Sequence, residues 1–246
     1  MIDIVKDRIY GDGVKERVLD LYVPEGEPNK VLLFVHGGGL NSGDKCENFS
    51  REIGTSLAEE GVLFVSANYR LYPKAAFPDY VEDVAAAIRY VKKNLAERKE
   101  LYIWGQSAGA YIALMLIFDE SYLANAGIKK DEICGWFVES AQPTTHFNVL
   151  QERGEDARLV RVDTAAPIYW VNENSGFSKM ELIAYSDDIP CRYEQNLLLY
   201  KTILQMNPKA DIRFSTLPGT HCEASTRKSG DGYPIVEHLK RFIGVN

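Results

Sequence analysis

Residues 103–111 read IWGQSAGAY, so that Ser107 stands between Gly105 and Gly109. A serine hydroxyl attacks a carbonyl only when a neighbouring base takes its proton. G-x-S-x-G specifies just three positions, and glycine is common. Alone, the pattern does not separate a nucleophile from a small residue in a tight turn. A second stretch adds chemistry: VLLFV runs into HGGG at 36–39. Successive glycines let backbone N–H groups close on developing negative charge, as an oxyanion hole requires. No Lys-Ser/Thr pair follows these glycines and the chain has no G-x-G-x-x-G, which argues against a phosphate loop.

The base must come from four histidines. His36 belongs to the glycine turn and is read as ordering it. His146 falls in a polar, aromatic stretch and is read as solvated or substrate-facing. His238, between Glu237 and Leu239, edges the core of a terminal helix. His221, in TLPGTHCEAS, follows an extended run at the C-terminal end of a strand. Open α/β sheets collect their chemistry there, so His221 is the candidate base. A carboxylate must orient it. MELIAYSDDIP supplies two, Asp187 and Asp188, and the spacing does not choose between them. The chain order Ser, Asp, His is the one expected around G-x-S-x-G.

These residues need elements to position them. RVLDLYVP (17–24) alternates and ends at Pro24, as a half-buried antiparallel strand does. Continuous apolar runs at 30–39, 62–70, 100–105, 133–140 and 180–186 predict strands covered on both faces, with another over 211–219. Helical spacing predicts helices over 48–60, from Asp79, over 107–118, 191–206 and 232–243. The alternation implies an α/β class: a mostly parallel central sheet with helices on both faces. Ser107 then sits at a strand–turn–helix junction, where Gly105 and Gly109 avoid collisions and the Ala108 N–H opens the helix. Residues 141–179 break the rhythm. One domain over 1–246, with 141–179 as a small lid insertion, is the expected organisation.

Composition excludes several roles. The net charge of −7 disfavours nucleic acid and anionic membrane surfaces. No apolar run reaches the ~20 residues that a membrane span needs. MIDIVKDRIYGDG places charges where a signal peptide needs an apolar segment. The four cysteines, Cys46, Cys134, Cys191 and Cys222, are scattered, which suits free thiols in a reducing cytoplasm better than a metal cluster.

VLLFVHGGG, SANYRLYPKAAFPDYVEDVAAAIRYV, IWGQSAGAY and LPGTHC together resemble the α/β-hydrolase superfamily. They are most similar to carboxylesterases of the hormone-sensitive-lipase type and to small feruloyl-esterase-like and kynurenine-formamidase-like proteins. The resemblance runs from about residue 17 onward. It implies Ser107 as nucleophile, His221 as base and Asp188 as acid, with Asp187 as the fallback. It places the oxyanion hole at the N–H groups of Gly38, Gly39 and Ala108, and gives Tyr69, Arg70 and Asp83 structural roles. The chain departs from the pattern in three ways. Only 35 residues precede His36, leaving no room for a long N-terminal cap; GQSAGA replaces GDSAGG; and Leu40 stands where an aromatic residue is usual. Pocket walls therefore do not transfer, and Phe147, Tyr169 and Trp170 of the insertion are the candidates for them. The expected activity is hydrolysis of small-molecule carboxylic esters with short to medium acyl groups, in the cytoplasm, without metal or organic cofactor. A homodimer is left open. The alternatives are an amidase or small peptidase on the same fold, and a non-catalytic binding protein.

Overall fold

The computed structural model describes residues 2–245. Its strands are β1 (Asp3–Ile9), β2 (Val18–Val23), β3 (Lys30–Val35), β4 (Val62–Ala67), β5 (Glu100–Gln106), β6 (Gly135–Glu139), β7 (Met180–Asp187) and β8 (Ile212–Thr220). They form one sheet in the order β1-β2-β4-β3-β5-β6-β7-β8. The pairs of β1 with β2 and of β2 with β4 are antiparallel, and all the others are parallel. The expected class is therefore present, including the antiparallel assignment of 17–24.

The helices are α1 (Asn48–Glu59), α2 (Asp79–Asn94), α3 (Ala108–Phe118), α4 (Glu120–Asn125), α5 (Phe147–Glu152), α6 (Arg192–Met206), α7 (Glu223–Thr226) and α8 (Ile235–Ile243). Two apolar clusters cover the two faces of the sheet. One joins Val81, Val84 and Ile88 of α2 and the whole of α3 to Leu33, Ile103 and Leu182. The other joins Ile53 and Leu57 of α1 and Leu239 of α8 to Phe34, Phe64 and Trp104. Every residue of α3 is buried, so the helix is apolar on all sides and carries no amphipathic stripe.

Three features differ from the sequence expectations. Residues 3–9 form edge strand β1, which the apolar-run criterion misses because most of its side chains are exposed. Lys6, Asp7 and Arg8 keep that edge from pairing further. The last helix begins at Ile235 instead of 232. Within 141–179 the chain is compact: 141–146 is buried, α5 follows, and Pro167–Trp170 makes a 3-10 turn.

Loops at the C-terminal edge are tied by buried polar groups. The Asp83 carboxylate, wholly buried on α2, accepts from Arg70 Nε at 2.8 Å and from Arg17 Nε at 2.9 Å. The Tyr69 hydroxyl donates to His36 O at 2.9 Å. These contacts lock the segment after β4 onto the glycine turn after β3, which fits the structural roles that the resemblance implies for Tyr69, Arg70 and Asp83.

Helix α3 approaches β3 backbone to backbone. A Cβ on Gly109 would stand 2.1 Å from Val35 O, and one on Gly105 would stand 2.5 Å from Gly109 O. Helix propensity alone would favour Gly109→Ala. The contact predicts the opposite, a loss of about 1–3 kcal/mol from overpacking. It would appear as a lower urea midpoint with an unchanged slope. An unchanged midpoint would show that α3 is free to shift.

Candidate active site

Parallel pairing brings the ends of neighbouring strands together. Val35 pairs with Gly105, Gln106 with Glu139, and Asp187 with Thr220. The residues that follow these pairs are therefore neighbours: the glycine turn, Ser107, Ser140, Asp188 and His221, read along the sheet edge.

Ser107 has φ 52° and ψ −110°, a sparsely populated backbone region for a residue with a Cβ. Its N–H donates to Glu139 O at 2.8 Å, and its carbonyl accepts from Tyr111 N at 3.0 Å, the first turn of α3. Its Oγ lies 2.7 Å from His221 Nε2, and His221 Nδ1 lies 2.5 Å from Asp188 Oδ1. The structure thus brings Ser107, His221 and Asp188 into one hydrogen-bonded line. Asp187, the last residue of β7, is exposed and takes the hydroxyl of Ser186 at 2.7 Å instead.

The Asp188 carboxyl is 1% exposed. Burial pushes it up, but hydrogen bonds from His221 and Ser140, the His221 charge and the Ile189 N–H together hold it below its ordinary value. An ionised Asp188 can set the imidazole tautomer, with Nδ1–H toward the carboxylate and the Nε2 lone pair toward the serine.

The glycine turn is tight. Gly38, Gly39 and Leu40 have φ of 99°, 64° and 70°. A Cβ on Gly38 would meet Ser42 O at 2.1 Å, so the position accepts only glycine. Gly37 faces the serine directly, since a Cβ there would lie 3.2 Å from Ser107 Cβ. His36 is buried, and burial lowers its pKa to about 4; its Nδ1 lies 2.7 Å from Gly37 O and its ring stacks on Tyr69. A neutral His36 bracing the turn matches the loop-ordering reading.

Sequence reasoning missed Ser140 and its support. The Ser140 hydroxyl donates to Asp188 Oδ2 and lies 2.9 Å from His221 Nδ1. Its backbone is also left-handed, with φ 54°. Buried Arg192 holds that conformation, donating to Ser140 O and to Gln142 Oε1 at 3.1 Å each. The available signal was the polar pair Glu139-Ser140 closing the apolar run ICGWFV at the same sheet edge.

The three candidate wall residues of 141–179 are placed unequally. Phe147 reaches the glycine turn, its Cζ standing 3.2 Å from where a Gly39 Cβ would be. Tyr169 and Trp170 form an edge-to-face pair 5.3 Å apart; Tyr169 is 53% exposed, and Trp170 Nε1 donates to Thr164 O at 2.9 Å. His146 is buried, not solvated. Its Nδ1 accepts from Asn148 N at 3.2 Å to cap α5, and burial pulls its pKa well down. His238 contacts Arg241 on α8, Nδ1 to Nη2 at 2.8 Å.

With this geometry in place, the chain can be set beside known proteins. The BD-FAE family model matches residues 19–201. The chain belongs to the BD-FAE family. The BD-FAE match contains the glycine turn, Ser107 and Asp188, and stops before β8 and His221. A probable isoprenylcysteine alpha-carbonyl methylesterase ICME of Oryza sativa subsp. japonica is 32% identical over 130 residues, covering 50% of this chain and 31% of that protein. Neutral cholesterol ester hydrolase 1 of Pongo abelii is 32% identical over 126 residues, 48% of this chain and 30% of that protein. The chain thus spans about a third of the length of these relatives. Among solved structures, a truncated carbohydrate esterase from gut microbiota superposes with a TM-score of 0.78 at 17% identity, covering 98% of this chain and 95% of that one. A Thermogutta terrifontis esterase with butyrate bound gives 0.73 at 18% identity, covering 99% and 93%. These likenesses establish the α/β-hydrolase fold. No helix among the described residues is long and apolar enough to cross a membrane.

Under the elbow, burial raises the Glu139 carboxyl from its ordinary 4.5 to about 7, against hydrogen bonds from Tyr185, Ser225 and Trp104. The folded protein therefore binds more protons at Glu139 than the unfolded chain between those two values. Its contribution to stability is full below about 4.5, falls as pH rises toward about 7, and is level beyond, a loss of about 3 kcal/mol. Asp188, held low, acts in the opposite sense as pH falls. Urea unfolding of wild type and Glu139→Gln between about pH 4 and 8 separates the two, because only the Glu139 component disappears in the variant. Parallel pH curves for the two proteins would contradict this.

Proposed function

We propose that this chain is a serine hydrolase of carboxylic esters with short to medium acyl groups. The observation that carries the reading is the unbroken hydrogen-bonded line from Ser107 through His221 to a buried Asp188, beside a glycine turn, on a BD-FAE chain. Ester names among the relatives and structural neighbours point the same way.

In this reading the ester carbonyl lies against the N–H groups of Gly38, Gly39 and Ala108. Ser107 Oγ attacks the carbonyl carbon while His221 Nε2 takes the hydroxyl proton. Negative charge moves onto the carbonyl oxygen, where the backbone donors stabilise it. The imidazolium that forms is held by Asp188, which is itself held by Ser140. His221 then returns the proton to the leaving alkoxide, leaving an acyl-enzyme on Ser107. Water repeats the cycle: His221 takes one of its protons, the hydroxide oxygen attacks the acyl carbon, and Ser107 departs with the proton that His221 returns. Phe147, beside the glycine turn, is the proposed pocket wall, with Tyr169 and Trp170 of the proposed 141–179 lid as further candidates. Small-molecule esters in the cytoplasm are the proposed substrates.

Purified protein should hydrolyse p-nitrophenyl acetate and butyrate faster than the octanoate, and Ser107→Ala should abolish turnover of all of them. A folded wild type inactive on every ester would remove the reading; turnover that survives in the variant would remove Ser107 from it.

The two aspartates give a sharper comparison. Asp188→Asn should lower kcat about 10⁴-fold, because the amide disturbs the imidazole tautomer. Exposed Asp187→Asn should stay near wild type in the same assay. Equal losses, or the reverse order, would overturn the assignment.

A further inference from the structure

Beneath the reacting groups lies a second polar layer in which no step of the proposed reaction takes place. Its centre is the side chain of Glu139, wholly buried at the end of β6. Three donors converge on its two oxygens. Trp104 Nε1 on β5 donates to Oε2 at 3.1 Å, while the Tyr185 hydroxyl on β7 and the Ser225 hydroxyl on α7 donate to Oε1 at 2.5 and 2.8 Å. Both hydroxyls are shared further. Ser225 Oγ accepts from Gln106 Nε2 at 2.7 Å, and Tyr185 Oη accepts from Ala224 N at 3.2 Å. Gln106 immediately precedes Ser107, and Ala224 and Ser225 follow closely on His221.

His221 needs such a tie. It leaves β8, an edge strand paired on one side only, and it lies between two left-handed positions, Gly219 at φ 111° and Cys222 at φ 56°. Local backbone hydrogen bonds close the short α7 turn but do not reach β5. Two ties run from the His221 loop to the strand carrying Ser107: Ser225 meets Gln106 directly, and Ser225 and Tyr185 meet the Glu139 carboxyl, which Trp104 joins to β5.

We propose that Glu139 is a positioning residue whose carboxyl clamps the His221 loop to the Ser107 strand through Ser225 and Tyr185. The kinetic part of this inference rests on the ester-hydrolase reading; the structural part does not. Once ionised, above about pH 7, the carboxyl only accepts, which suits a place where all three partners donate. Glutamine of the same shape turns an N–H2 group onto those donors and breaks part of the set. The other titratable groups facing this carboxyl are Tyr185, Cys222 and Asp188.

The test pairs Glu139→Gln with Ser225→Ala, which removes the hydroxyl shared with Gln106 and leaves the carboxyl in place. On p-nitrophenyl acetate each should lower kcat about tenfold with KM within about twofold, as expected for a small misplacement of a reacting group. The double variant should be no worse than the more damaged single one, since both act through one clamp. Native-state hydrogen exchange at the Ala224 amide, which donates to Tyr185, should quicken in both single variants. Unchanged exchange, or kinetic losses that multiply, would overturn the proposal. If the wild type cleaves no ester, the functional reading fails while the clamp is still decided by exchange alone: faster exchange at Ala224 in both variants supports it, and unchanged rates refute it.

Discussion

Everything at the candidate site depends on the backbone of one residue. Ser107 sits at φ 52° and ψ −110°, where a Cβ is unfavourable, and such a conformation persists only when its surroundings over-determine it. Those surroundings are mostly backbone. Glu139 O takes the Ser107 N–H, Gly105 lets the α3 backbone approach, and Gly109 lets α3 rest on β3. The strain and the close packing are the same fact seen twice. Remove the small residues and α3 must move away, which would relax the turn and carry Oγ off the His221 line.

The second constraint is the cost of burying polar groups. Asp188, Glu139 and Arg192 are all withdrawn from water, and an unpaired charge there would be expensive. The chain satisfies them largely with neutral partners: Ser140 and backbone N–H on Asp188; tyrosine, serine and indole donors on Glu139; a backbone carbonyl and an amide oxygen on Arg192. Apart from the Ile189 N–H on Asp188, these bonds cross between segments distant in the chain, so satisfying the buried groups also sets the relative positions of strand ends. Rigidity of the site and solvation of its interior are supplied by the same contacts.

Much of this was legible beforehand. The apolar runs that became β3 to β7 are largely covered on both faces, and a strand buried that way must be mostly apolar, so it announces itself. Ser107, His221 and the Asp187-Asp188 pair were visible for a related reason, as polar residues placed just past such runs. Edge strand β1 was not visible, because an exposed edge has no apolar face to display. Nor was Ser140, whose importance comes from its φ of 54° and from Arg192, which lies far away in the chain. His146 misled for the opposite reason: a polar stretch suggested solvent, yet α5 and Tyr111 enclose the ring.

By itself the sequence determined the class of fold, the glycines that permit the sharp turn at Ser107 and the tight turn after β3, and the residue types offered as candidate nucleophile, base and acid. These follow from local chemistry: periodicity, the lack of a Cβ, and the acid–base character of side chains. Only the tertiary structure decided which aspartate meets His221, since that depends on the register of β7 against β8 and on how the chain turns where β7 ends at Asp187. It alone assembled the Glu139 layer, whose members come from three strands and a short helix. Sequence spacing carries no record of such contacts, because they are set by parallel pairing between segments far apart in the chain.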